Sequence, residues 1–262
     1  MTLFMMVVLG LIQGFTEFLP VSSSGHFVIT TAVLHWPDIS AGLEIALHLG
    51  TLLAVIVYFW SDWVDLVRGK LNGLKWSLFW ATLVTAAVAY FTGPLRTNLD
   101  HRPILTAYML IIFGILLWLV DWRARQLPKR TLGTTAECKA PSFGQSLYLG
   151  LAQVVALIPG VSRSGIVITA ARGLRMNKEE AARYAFLLSA PAIALTPIAQ
   201  LLDRTGGESF VINGPVILGA VVAFVSGMVA ISFLLGLVRK MSYGWFALYR
   251  VALAVFIIYL LK

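Results

Sequence analysis

Two short stretches place reactive side chains inside apolar surroundings. EFLPVSSSGH, residues 17–26, puts the carboxylate of Glu17, the hydroxyls of Ser22, Ser23 and Ser24 and the imidazole of His26 around Gly25. GVSRSG, residues 160–165, sets Arg163 between Ser162 and Ser164, flanked by Gly160 and Gly165, and no other charge occurs from Ala140 to Ala171. A guanidinium is a planar fork of donors that matches phosphate oxygens. Serine hydroxyls and glycine-permitted backbone N–H groups at the start of a helix, here IVITAARGL, form a nest for an anion. Serine beside histidine is a nucleophile–base pair. Gln13 and Glu17 stand four apart on one helix face, where they suit a hard divalent cation or can orient His26.

Each feature has a plainer reading. Ser and Gly in membrane segments commonly serve close helix packing, and a Glu–Arg pair can simply neutralise itself. The coincidence decides: acid, hydroxyls and imidazole in one break, Ser-Arg-Ser-Gly in the other. An arginine within a bilayer costs at least about 2.5–3.5 kcal/mol and marks a functional position. His48, one turn after Glu44, is expected to be structural. Arg250 is expected to snorkel or to pair with a membrane-facing neighbour, and His35 and His101 to sit in interfacial loops.

The surroundings define the class of protein. Of 262 residues, 59% are hydrophobic and 12% charged, about half the charge of a soluble domain. Charge-free runs at 45–60, 76–93, 104–120, 184–201 and 214–237, with 245–261 interrupted only by Arg250, suffice to cross about 30 Å of hydrocarbon. The net charge of +8 is scattered rather than gathered on one face, which excludes a nucleic-acid binder. No Lys or Arg precedes Arg68, so the apolar start lacks the basic region of a signal peptide. The one cysteine, Cys138, stands in a polar loop.

Segments 1–35 and 143–171 are apolar but broken midway by Pro, Gly and Ser, and are expected to be re-entrant hairpins, since broken backbone survives in a bilayer only where protein or a cavity surrounds it. They also match each other. LGLIQGFTEFLPVSSSGHFVI (9–29) aligns without gaps on LGLAQVVALIPGVSRSGIVIT (149–169), with 8 of 21 positions identical. The expected fold is an all-α polytopic integral membrane protein with an inverted-topology repeat, each half a re-entrant helix–loop–helix plus three transmembrane helices. Its single membrane domain, 1–262, divides into repeat one (1–121), a cytoplasmic linker (122–142) and repeat two (143–262). Fourteen of the 20 Lys and Arg then fall on one face and four on the other, which orients the basic face to the cytoplasm and both termini outward.

Q-x-x-x-E-F-L-P-V-S-S-S-G-H at 13–26 and P-G-V-S-R-S-G at 159–165 resemble the two signature motifs of the undecaprenyl-pyrophosphate phosphatases, the bacitracin-resistance family of bacterial inner membranes. The likeness runs from about Leu9 to the C-terminus and includes A-x-x-x-A-F-L-L-S-A-P at 181–191. The resemblance implies removal of the terminal phosphate from the C55 lipid undecaprenyl pyrophosphate, regenerating the carrier for peptidoglycan synthesis and conferring bacitracin resistance. It also implies a homodimer, an active site opening to the periplasmic side and dependence on a divalent cation, Mg²⁺ or Ca²⁺. By position it makes Glu17, Ser23, His26 and Arg163 catalytic, with Ser22, Ser24, Gly25, Gly160, Ser162, Ser164 and Gly165 binding substrate and Glu17 with Gln13 holding the metal. The sequence departs from the pattern at Gln13, where many members carry a second Glu, and at Val167, where many carry Thr.

The expected activity is therefore a membrane lipid-pyrophosphate phosphatase, in which Arg163 holds phosphate, His26 activates Ser23 or a water, and Glu17 holds metal or orients His26. The rival is a lipid-phosphate transporter using the same anion site, since inverted repeats are also transporter architecture and fold does not fix function. The topology has a direct check. Reporter fusions at Lys129 and Lys240 are expected on the cytoplasmic side, and fusions at Arg204 and Lys262 outside; finding Lys129 and Arg204 on one side would break the inverted repeat.

Overall fold

A computed structural model describes residues 1–97, 102–126, 140–202 and 213–261. Cys138, His101, Lys129, Arg130, Lys139, Arg204, Lys262 and most of the expected linker lie outside them. Among the described residues there are eleven helices and no strand: α1 (Leu3–Phe18), α2 (Ser23–Ala32), α3 (Ala41–Tyr58), α4 (Trp60–Val67), α5 (Asn72–Thr97), α6 (Pro103–Gln126), α7 (Phe143–Val155), α8 (Arg163–Gly173), α9 (Lys178–Leu202), α10 (Gly214–Lys240) and α11 (Gly244–Leu260). Four are long and apolar enough to cross a membrane: α3, α5 over Asn72–Thr92, α6 and α10. They coincide with four of the expected spans. The expected span 184–201 lies inside α9, and 245–261 is α11, apolar but 17 residues long. The span 45–60 ends early, because the chain turns at Phe59 into the separate short helix α4.

The two broken segments begin and end for local reasons. Thr2 and Ser142 cap α1 and α7, each accepting from the backbone N–H three residues on. α1 stops before Pro20, which disfavours helical backbone at Leu19. α7 stops four residues before the Pro159-Gly160 turn, where Gly160 takes φ +90°. Both breaks then pass through a serine in the left-handed φ region immediately before the next helix, Ser22 (φ 73°, ψ 114°) and Ser162 (φ 69°, ψ 114°).

Packing follows membrane rules. On α10, Ile217, Val221, Val225, Val229 and Phe233 are exposed at four-residue spacing, a stripe that only lipid would solvate. Its other face presents Gly219, Ala223, Ser226, Gly227 and Ala230 inward, and α1 lies directly on it. A Cβ on Gly14 would sit 1.9 Å from Ser226 Oγ, and one on Gly10 2.6 Å from the Gly219 carbonyl. α7 is seated on α5 in the same way, a Cβ on Gly150 falling 2.5 Å from the Ala81 carbonyl.

At the other end of the bundle, fully buried Asp121 of α6 ties three elements together. It accepts from Arg172 Nε of α8 at 3.0 Å and from the Tyr243 N–H between α10 and α11 at 3.3 Å, and pairs with Arg125 at 3.3 Å. Burial raises the Tyr243 phenol well above its usual range, so it stays a donor to the Lys178 carbonyl. Asp62–Arg183 and Glu179–Arg239 pairs lie nearby in sequence to these basic loops.

These contacts separate glycines that pack from glycines that do not. Gly14→Ala is expected to cost about 1–3 kcal/mol, because neither Ser226 nor the α10 backbone can retreat far. Gly236→Ala, whose Cβ meets nothing within 4 Å, should be neutral or stabilising. Thermal unfolding in detergent reads both, and equal effects would contradict the α1–α10 contact.

Candidate active site

The two breaks meet tip to tip. The Gly160 N–H donates to Ser24 Oγ at 2.9 Å, and Ser164 Oγ donates to the Leu19 carbonyl at 3.2 Å. Ser22 and Ser24 hydroxyls are 2.9 Å apart, and Ser162 and Ser164 hydroxyls 3.3 Å. Gly160 has no room for a side chain, since a Cβ would lie 2.3 Å from the Thr106 carbonyl. Gly165 and Gly25 pack less tightly, their Cβ positions 3.0 Å from Arg250 Nη1 and 2.9 Å from the Leu110 side chain. Ser162 Oγ caps α8 through the Gly165 N–H at 3.2 Å, leaving the N–H groups of Arg163 and Ser164 at the positive end of the helix.

Glu17, at the end of α1, is the electrostatic centre. Its carboxylate accepts from Gln13 Nε2 at 3.0 Å, lies 3.7 Å from Arg163 Nη1 and 3.5 Å from His48 Nε2. Glu17 and Arg163 thus come together from opposite halves of the chain, as expected. The imidazole beside Glu17 is His48 rather than His26, so of the two expectations for Glu17 the orienting of His26 is not made in this arrangement. α3 runs close enough to α1 to deliver His48, whose Nδ1 faces the Glu44 carbonyl at 2.8 Å. The sequence signal was a lone imidazole in an apolar run, and it named no partner across the interface.

Three side chains here carry buried polar atoms without a hydrogen-bond partner, Arg163 Nη1, Gln13 Oε1 and Arg250 Nη1. Orphaned groups of this kind are costly in a low-dielectric interior and point to a ligand. Among the described residues no three His, Cys, Asp or Glu side chains cluster to hold a metal ion. Val167 is fully buried and offers no hydroxyl.

His26 departs from expectation. Its Nδ1 lies 2.7 Å from the Ser22 carbonyl and its Nε2 2.7 Å from the Tyr249 hydroxyl. Both ring nitrogens are therefore engaged elsewhere, and the expected Ser23–His26 pair is not made in this arrangement. Ser23 stands as the first residue of α2, at the loop tip. His26 is three positions after Ser23, but the ring turns back along the helix to a carbonyl four residues earlier.

Arg250 is the other correction. It neither snorkels nor pairs with a carboxylate; it is 0% exposed. Its Nη2 donates to the Gly160 and Val161 carbonyls, each at 2.9 Å, and its Nε to the Leu110 carbonyl at 3.2 Å. Because the chain around Pro159 is not helical, the Gly160 and Val161 carbonyls are free to accept, and a guanidinium collects them.

Fold and site together define a polytopic, all-helical membrane protein whose charged groups converge where two interrupted hairpins touch. Residues 6–256 match the profile of the bacitracin resistance protein BacA, and the chain belongs to that family. It is similar to the undecaprenyl-diphosphatase of Desulforudis audaxviator, 38% identical over 259 residues covering 96% of this chain and 95% of the relative. The undecaprenyl-diphosphatases of Moorella thermoacetica (38% over 265 residues, 98% and 97% covered) and Caldicellulosiruptor bescii (38% over 272 residues, 100% and 99% covered) are similar throughout as well.

The carbonyl-collecting role of Arg250 is testable without turnover. Arg250→Gln leaves at least one of the Gly160, Val161 and Leu110 carbonyls unpaired, at about 1–3 kcal/mol per group. A lower unfolding temperature and faster amide hydrogen exchange over residues 156–162 are expected. Unchanged exchange there would mean the loop holds itself.

Proposed function

We propose that this chain is an undecaprenyl-diphosphatase, hydrolysing undecaprenyl pyrophosphate to undecaprenyl phosphate and phosphate and so returning the lipid carrier to cell-wall synthesis. One observation carries the site assignment: Arg163 presents at the N-terminus of α8 a buried Nη1 that makes no hydrogen bond and only a long 3.7 Å ion pair with Glu17, where a phosphate would complete it. The rival transporter reading finds no support, since the relatives are named as diphosphatases.

The pyrophosphate enters the polar junction while its prenyl chain stays in lipid. Arg163, the first-turn N–H groups of α8 and the hydroxyls of Ser22, Ser24, Ser162 and Ser164 bind the phosphates. Arg163 stabilises the charge that spreads over the transferred phosphoryl oxygens, the largest contribution in such chemistry. Ser23 or a water attacks, and His26 receives the attacking group's proton. Glu17 holds Arg163 and His48 in place.

A divalent cation, Mg²⁺ or Ca²⁺, belongs to this reading. Gln13 Oε1 is buried without a partner one helical turn from the Glu17 carboxylate, so the pair fits a hard cation that keeps its remaining ligands for phosphate oxygens and water. Such a cation supplies neutralisation of the pyrophosphate charge.

The finer architecture is proposed likewise. Repeats 1–121 and 143–262 are inverted copies joined by the cytoplasmic linker 122–142, a reading supported by the matched dihedrals at Ser22 and Ser162 and by glycine-mediated seating of α1 on α10 and of α7 on α5. The basic loops face the cytoplasm, and the site and both termini face the periplasm. A homodimer in the bacterial inner membrane rests on the resemblance alone.

Purified protein in detergent should release phosphate from a long-chain prenyl pyrophosphate in a divalent-dependent manner, with little from the monophosphate. Arg163→Lys should lose about 10²–10³-fold despite retaining charge. Ser23→Ala and His26→Ala should each lower the rate by orders of magnitude without adding, and Glu17→Gln should shift the metal titration. No release by folded wild type across Mg²⁺, Ca²⁺ and Mn²⁺ overturns the reading, and near-wild-type Arg163→Lys reduces Arg163 to a counter-ion.

A further inference from the structure

The hydrogen bonds of His26 fix where its proton lies. The Ser22 carbonyl oxygen, 2.7 Å from Nδ1, can only accept, so Nδ1 carries the hydrogen. In the neutral ring Nε2 is then the lone pair, and the Tyr249 hydroxyl 2.7 Å away must be donating to it. The two rings are stacked, with centroids 5.7 Å apart and planes inclined by 13°. The Ser22 carbonyl that receives the ring belongs to a residue in left-handed backbone, a conformation that Ser162 shares. At the matching position the Ser162 carbonyl instead takes the backbone N–H of Ile166, at 2.9 Å.

A base whose lone pair is already bound cannot take the nucleophile's proton directly. Either the phenol leaves or the phenol carries the proton. The next residue argues against leaving: Arg250 is wholly buried and bonded to the Gly160 and Val161 carbonyls, so α11 cannot turn Tyr249 away without releasing the second loop. Rotating the side chain alone would abandon the ring stack. Tyr249 is also 45% exposed, and a phenol can donate with its hydrogen to His26 while accepting on its lone pairs from an incoming group. Consecutive residues of α11 thus serve the two loops, Tyr249 the first and Arg250 the second.

We propose that Tyr249 is a catalytic residue that passes protons between the reacting oxygen and His26. The inference rests on the diphosphatase reading above. As the attacking oxygen, Ser23 Oγ or water, bonds to phosphorus, its proton moves to Tyr249 Oη while the phenolic proton moves to His26 Nε2. The phenol is neutral before and after, His26 becomes imidazolium, and the P–O bond to the prenyl phosphate breaks with its electron pair on the departing oxygen. The imidazolium then returns its proton through Tyr249 Oη to that oxygen. Where Ser23 attacks, a water then bonds to the phosphorus of the phosphoserine and gives its proton along the same Tyr249–His26 path, while the P–O bond to Ser23 breaks and the returning proton restores the hydroxyl. No oxidant or reductant is needed.

Tyr249→Phe removes one oxygen and keeps the stacked ring. The relay predicts about a 100-fold fall in kcat with KM within threefold, the scale of lost general-base catalysis. If the hydroxyl merely caps Nε2, the variant frees the base and kcat stays level or rises, which overturns the proposal. Replacement of Tyr249 by a ring-fluorinated tyrosine keeps shape and packing while acidifying the phenol; a changed kcat supports the relay, and an unchanged one argues against it. A matching unfolding temperature for Tyr249→Phe assigns the loss to chemistry, whereas a collapsed fold that fluorotyrosine does not share or alter in rate makes Tyr249 structural and overturns the proposal. ¹⁵N-histidine NMR supplies a readout independent of turnover: wild type should show a neutral Nδ1–H ring at His26, with the Nε2 resonance moving in Tyr249→Phe. If wild type releases no phosphate, the diphosphatase reading fails while the NMR result still reports the contact; an Nε2 resonance untouched by Tyr249→Phe removes the relay by itself.

Discussion

Backbone interrupted inside a bilayer has no water to satisfy it, and the structure is arranged around that constraint. Two helices stop midway, at Phe18 and Val155, and the freed carbonyls and N–H groups must find partners within protein. Part of the solution is reciprocal, each loop bonding the other through Ser24–Gly160 and Ser164–Leu19. The rest falls to Arg250, which gathers carbonyls from the second loop and from α6. Meeting the backbone requirement brings the two loops into contact, and that contact creates the polar junction.

Two guanidinium groups near this junction differ in access and in partner, though each keeps one Nη1 without a hydrogen bond. Arg250 is sealed, and its charge is dispersed over carbonyl oxygens without a carboxylate. Arg163 is partly accessible and stands off Glu17 at 3.7 Å. A tight ion pair would have satisfied Arg163 and removed its reason to bind anything. Held at a distance by a carboxylate that also engages Gln13 and His48, it stays oriented while remaining short of partners. An unsatisfied donor in a low-dielectric site favours an anion as its missing partner.

Much of this was legible in the sequence because the polar residues stand out against an apolar background. Glu17, the paired Ser-x-Ser-Gly segments and Arg163 lie in short runs whose breaks are written in Pro and Gly, and the structure brings them together. His48, Tyr249 and Arg250 were not legible as site residues. Each acts across a helix interface, Tyr249 reaching His26 over 223 positions of chain, and periodicity says which face a residue occupies but not which helix meets it. The Ser23–His26 pair failed for a local reason: an imidazole near a helix start can turn back to a carbonyl four residues earlier. The short helix α4 escaped because an apolar run gives no sign of a turn at Phe59.

The two breaks share a backbone and divide the chemistry. Gln13 has its counterpart in Gln153, each within an α-helix that precedes a break and each leaving its carbonyl oxygen unpartnered. Where the first segment has Glu17 the second has Leu157, and Gln153 donates to Thr85 instead. Ser23 in the first loop matches Arg163 in the second. A loop with carboxylate and imidazole alone would repel a pyrophosphate, and a loop with arginine alone would hold one without a base to act on it. Contact between two unlike loops of matching backbone brings a guanidinium suited to an anion and an imidazole suited to a proton to the same junction, which neither loop provides by itself.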